Sequence, residues 1–112
     1  MTTTERVRIA NSHIYPGATG AYELAAPLGA EAREVVVEFS DGVMAYGRLS
    51  ALPGPRRRLE VDDHTTAKGA YIPPKVWILQ NTGADGAGFL VREHGEPAQS
   101  PHAHRRRMSL RR

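Results

Sequence analysis

Few side chains in this sequence have the types and spacing that acid–base or metal chemistry needs. The chain has five histidines, at positions 13, 64, 94, 102 and 104, and four aspartates. Asp62-Asp63-His64 is the only dense cluster, and two carboxylates with an imidazole can hold a divalent metal or supply a base when they converge. Neighbouring residues of a strand point to opposite faces, so Asp62 and Asp63 do not naturally share a ligand set, and a solvent-facing strand end is the expectation. His102-Ala103-His104 has the spacing of a weak chelate without a fixed frame. There is no cysteine, which removes disulfides, thiolate metal sites and cysteine nucleophiles. Neither a Gly-x-Ser-x-Gly elbow nor a His-Glu-x-x-His helix occurs. No catalytic residue, metal site or cofactor is expected.

The second chemistry open to the chain is recognition of anions. Thirteen of the 15 basic residues are Arg, which suits bidentate phosphate contacts, although a GC-rich coding sequence produces the same bias. The formal net charge is +3, but five arginines lie after His102, in HAHRRRMSLRR. That leaves 10 basic against 12 acidic groups in the remainder, a formal −2. Basic character is thus concentrated in Arg105, Arg106, Arg107, Arg111 and Arg112, with a second cluster at Arg56, Arg57 and Arg58 beside the Pro53-Gly54-Pro55 turn. An exposed loop carrying three arginines and a basic tail would both attract phosphates through counterion release. Against this, Glu60, Asp62 and Asp63 lie close enough to pair with the loop, and the tail equally suits a solubilising terminus. Among the aromatics, Tyr46 and Trp77 are expected in the core. Tyr71, next to Ile72-Pro73-Pro74, is the best candidate for an exposed stacking or partner-contact platform.

The elements that must position these groups read as β. Val35 to Ser40 and Val43 to Leu49 flank Asp41-Gly42, a strong hairpin signal. A two-residue loop there would pair Phe39 with Met44 and Val37 with Tyr46 on the core face, and Glu38 with Ala45 on the other. Arg6-Val7-Arg8-Ile9 and Arg58 to Asp62 alternate as half-buried strands. Val76 to Leu79 is an apolar run read as a strand buried on both faces, with Phe89 to Arg92 as its hairpin partner across a Gly-rich loop. Gly47 inside a strand implies a bulge or a sharp bend. Only Ala21 to Glu34 tolerates helix, and Pro27 and Gly29 divide it. Five or six short strands in a chain of 112 residues predict a mainly β fold, a single small antiparallel barrel of the SH3-like kind.

Phe39-x-Asp41-Gly42, four residues, then Gly47-x-Leu49 resembles the first motif of the Sm-like and wider SH3-like small-barrel families. The resemblance covers only this hairpin, and it implies a barrel of a kind that mostly binds RNA, DNA or peptides. Two departures limit what it carries. Ser50-Ala51-Leu52-Pro53 lacks the Asp and the Met-Asn-like pair that read bases in Sm-like proteins, and Ile72-Pro73-Pro74-Lys75-Val76 stands where an Arg-Gly pair is expected. Ring assembly and uridine recognition are therefore not implied.

The resulting expectations are a flexible N-terminus at 1–5, a barrel at 6–96 and a disordered Arg-rich tail at 97–112. No signal peptide and no run of about 18 apolar residues is present, so a cytoplasmic location without membrane contact is expected. The expected role is a non-catalytic binding module whose partner is RNA or DNA. The alternative is a protein partner engaged through a strand edge or through Tyr71 to Pro74. The sequence leaves the oligomeric state open.

Overall fold

The computed structural model describes residues 5–25, 28–29, 31–82 and 87–95. The tail arginines and the N-terminal residues 1–4 lie outside these. Nine strands occur among the described residues: β1 (Arg6–Ile9), β2 (Thr19–Glu23), β3 (Arg33–Phe39), β4 (Met44–Ala51), β5 (Arg56–Val61), β6 (His64–Thr65), β7 (Tyr71–Ile72), β8 (Lys75–Thr82) and β9 (Gly88–Gly95). Seven close into a barrel in the order β1-β2-β9-β8-β5-β4-β3, while β6 and β7 form a separate two-stranded flap. All ladder pairs are antiparallel except β1 with β3, the pair that closes the barrel. Closure leaves the seven barrel strands without a free edge.

Alternation along the strands builds the core. Val35, Val37 and Phe39 of β3 point inward, as do Ala45 and Leu49 of β4 and Leu59 and Val61 of β5. They meet Val7, Leu79, Phe89 and Val91 in one apolar cluster. Burying each large side chain contributes roughly 1.5–3 kcal/mol, which sets the scale of what holds so small a barrel together.

Three expectations need correction. The strand count is higher than five or six, in part because Thr19–Glu23, within and before the stretch read as helix-tolerant, forms β2. Gly20 permits this: it sits against the Arg8 carbonyl and the Phe89 ring, an approach between strands that any Cβ would block. The Asp41-Gly42 hairpin has a three-residue loop instead of two, which shifts its register by one. Phe39 N–H donates to Val43 O at 2.9 Å and Gly42 N–H to Phe39 O at 3.0 Å, with Gly42 at a φ of 90°. Val37 thus faces Ala45 and Val36 faces Tyr46. A slip of one residue exchanges the faces of a strand, so Tyr46 is 73% exposed instead of in the core. The third correction concerns Arg56, Arg57 and Arg58, which begin strand β5 and do not sit on a loop; Arg57 and Arg58 are half-buried.

Trp77 is buried as expected, and so are Val76 and Leu79, while Ile78 is half-buried beside a register shift against β9. No helix among the described residues is long and apolar enough to cross a membrane.

Candidate binding site at the flap end of the barrel

Register assigns each functional side chain to one end of the barrel. Val61 pairs with Lys75 and Val76 with Gly95, so the end of β5, the start of β8 and the end of β9 lie together. The flap leaves and re-enters here, between Val61 and Lys75. The β3–β4 turn and the loop from Ala10 to Ala18 lie at the same end, since Ile9 pairs with both Gly20 and Phe39. The opposite end holds Arg56, paired with Gln80, and Gly88, paired with Thr82. The segment that carries the tail therefore leaves from the flap end, whereas Arg56 and Arg57 stand at the far one.

Most arginines of the barrel are neutralised in place. Arg6 pairs with Glu38 at 3.2 Å, Arg8 with Glu23 and Glu38, and Arg33 with Glu5. Arg48 bridges Glu60 at 3.3 Å and Asp62 at 2.6 Å, and Arg58 lies 3.7 Å from Glu60. Partly exposed pairs of this kind add at most about 1 kcal/mol each, so their main effect is to cancel charge on the outer wall. Arg56 and Arg57 instead donate to the backbone oxygens of Pro53 and Arg56, at 3.4 and 2.9 Å.

The Asp62-Asp63-His64 cluster diverges. Asp62 turns to Arg48, Asp63 accepts from the Tyr71 hydroxyl at 3.3 Å, and His64 stacks on Phe39 with ring centroids 5.3 Å apart. His64 Nδ1 lies 3.0 Å from the Asp62 carbonyl oxygen, a geometry in which the ring nitrogen donates. Among the described residues no group of three or more His, Asp or Glu side chains converges as a metal site. Asp62 and Asp63 lie in the link between β5 and β6, outside both strands, and each is taken up by a different partner.

What the flap end does bring together is an array that sequence reasoning did not assemble. His13, His64, Lys75 and Trp77 line one recess with Ile14, Phe39, Val61, Ile72 and Pro73. Lys75 Nζ lies 6.0 Å from the Trp77 ring centroid, at the outer limit of a cation–π contact. Tyr71, 63% exposed, and Tyr15, 44% exposed, stand at the same end, with Lys68 exposed on the flap turn. That turn is closed by Thr66, whose Oγ1 accepts from Ala70 N–H at 3.0 Å. The only available signal was the run Ala67 to Lys75, which carries two cations and an aromatic across a Gly-bearing turn. Its partner His13 is 50 or more positions away in sequence.

Burial, with Lys75 and His64 nearby, holds His13 below its ordinary value of 6.5. A base whose folded-state value is lowered takes up its proton more readily in the unfolded chain. Its favourable contribution is therefore complete above pH 6.5 and is lost as pH falls below that value. Melting temperatures from about pH 8 to pH 5 should fall less for His13→Asn than for the parent chain, and identical pH profiles would refute the assignment.

Fold and site together define a small closed β-barrel with a two-stranded flap at one end, where Lys68, Lys75, Tyr15 and Tyr71 stand together with Asp41, Asp62 and Asp63. In comparisons with known proteins no family model, no curated protein and no solved structure matches this chain.

Proposed function

We propose that the chain is a small non-catalytic binding module that holds RNA or DNA at the flap end of the barrel. Tyr71, and Tyr15 at the same end of the barrel, offer rings for bases, and Lys68, Lys75 and the C-terminal arginines contact phosphates. The observation that carries this reading is a segregation of charge. Arg6, Arg8, Arg33, Arg48 and Arg58 of the wall are paired with carboxylates, whereas Lys68 and Lys75, like Arg56, Arg57 and Arg92, have no ion pair among the described residues, and the two lysines share their end with the exit of the basic tail. Phosphate contacts of this kind confer affinity without sequence preference, and exposed aromatic rings stack on any base. The closed barrel is compatible with the Sm-like or SH3-like resemblance of the Asp41-Gly42 hairpin, an analogy that bears on topology and not on the ligand. Arg56 and Arg57 reach only a ligand that runs the length of β5, roughly 20 Å at about 3.3 Å per residue.

A gel-shift titration of the full chain with single-stranded oligonucleotides tests this. Affinity should fall linearly on a log–log plot as salt rises. Tyr71→Ala should weaken binding by about 1–3 kcal/mol for one lost stack, with the melting temperature unchanged because the ring is exposed. Indifference to salt and to Tyr71 would overturn the proposal. A protein partner is the second reading, favoured by Tyr46 and Met44, 73% and 52% exposed on the outer face of β4. A complex that survives nuclease treatment would decide for it.

A further inference from the structure

Among the described residues, the outer face of β4 carries the most exposed apolar side chains of the barrel wall. Met44 and Tyr46 stand two residues apart on that face, with Val36 of β3 half-buried beside Tyr46. Carboxylates bracket them. Asp41 precedes Met44 in the β3–β4 turn, and Glu34 of β3 pairs with Arg48, the next outward residue of β4. Glu38, Glu60 and Asp62 nearby are taken by arginines, but Asp41 and Glu34 are exposed and have no ion pair among the described residues. The two lie roughly 20 Å apart along the hairpin, at about 3.3 Å per residue.

The end of the sequence carries the complementary pattern, Arg106-Arg107-Met108-Ser109-Leu110-Arg111-Arg112. In an extended segment alternate residues share a side, which groups Met108 and Leu110 with Arg106 and Arg112 at either end, also about 20 Å apart. Register brings this segment within reach of β4. Gly95 pairs with Val76, Val76 with Glu60, and Glu60 with Arg48, so three strand spacings, roughly 15 Å, separate the exit of the tail from β4. Tyr46 is two residues further along β4, and the residues from 96 to 107 span up to about 40 Å when extended. We infer that residues 106–112 dock in cis on the outer face of β4, with Met108 and Leu110 against Met44 and Tyr46 and the flanking Arg106 and Arg112 at Asp41 and Glu34. A body of formal charge −2 favours a segment that carries four arginines and no acid. Tethering favours the chain's own tail over that of a second copy, because a short linker holds it at a millimolar effective concentration. Arg105, Arg107 and Arg111 fall on the opposite side of the docked segment and stay open to anions.

This docking does not rest on the nucleic-acid reading, and its test contains no nucleic acid. The chain has no cysteine, so Ser109→Cys in the full chain takes a single nitroxide label, on the side of the segment that faces away from the barrel. Paramagnetic broadening of amide signals should concentrate at Val36, Met44 and Tyr46 and should persist on dilution. Met108→Ser combined with Leu110→Ser keeps every arginine and should remove the effect. Tyr46→Ala should lower the docking equilibrium constant roughly fivefold, for one lost ring contact. The proposal is overturned if broadening is absent, if it centres on Tyr71 and the flap, or if it survives loss of both apolar tail residues. It is equally overturned if broadening appears only between labelled and unlabelled chains in a mixture, which would make a second copy the occupant. The labelled and substituted tail positions follow Val91, the last core residue among those described, so these outcomes do not depend on a weakened barrel.

Discussion

Gly47→Val is expected to remove a large share of the stability of the barrel. Gly47 occupies an inward-facing position of β4, opposite Val35 on one side and Val61 on the other. A Cβ added there would overlap the Glu60 carbonyl oxygen and press on Val37 Cγ2 at 3.4 Å. The Glu60 carbonyl belongs to the backbone of β5, whose ladder to β4 and β8 gives it little room to withdraw. Overpacking of side chains costs about 1–3 kcal/mol, and a clash against backbone exceeds that. A domain of this size has only about 5–15 kcal/mol in total. Urea unfolding followed by circular dichroism should show a loss of at least about 3 kcal/mol. Gly42→Asn is the contrast: the turn position has a φ of 90° but open space around it, and Asn accepts that conformation at a cost near 1 kcal/mol. Equal midpoints for the parent and Gly47→Val would show that β4 and β5 do not approach as described.

The second large effect is on binding. Removing residues 102–112 takes away five arginines and no acid, and changes the formal charge from +3 to −2. If each arginine neutralises one phosphate of a single strand, the salt slope should fall by about 3.5, at ~0.7 per contact. Affinity at low salt should drop on the order of 10²- to 10³-fold. The melting temperature should move little, because the core formed by the described residues runs from Val7 to Val91. Tyr71→Ala combined with the deletion should bring binding to background, since ring and tail exit share one end. Retention of full affinity and of the original salt slope after deletion would place the nucleic-acid contacts elsewhere, or remove the need for them.

Much of this arrangement was legible from local pattern. Alternation in Arg6 to Ile9 and Arg58 to Asp62, the Asp41-Gly42 turn and the apolar run at Val76 to Leu79 each identified a strand that is present, the second of them running Arg56–Val61. Gly47 was expected to mark a bulge or sharp bend, but the β3 and β5 ladders run through it without a register shift, and what requires the glycine is a close approach to the Glu60 carbonyl. Tyr46 was misplaced for a specific reason. Two- and three-residue loops both use an Asp-Gly pair, and the difference of one residue reverses the face of every side chain that follows. Thr19 to Glu23 was missed because its strand character comes from neighbours: Gly20 and Ala21 have weak intrinsic β preference and are held by β1 and β9.

The sequence by itself determined the class of fold, the absence of a cysteine or nucleophile motif, and the segregation of positive charge into a short arginine cluster and a terminal run. These follow from composition and from periods of two residues, which are local properties of the chain. Only the tertiary structure decided which end of the barrel each charge occupies. Antiparallel pairing of β5, β8 and β9 sends Arg56 to one end and the exit of the tail to the other. The same closure brings His13 to His64 and Lys75. Such meetings depend on register and closure summed around seven strands, where one slip alters every later position, and no local spacing in the sequence encodes them.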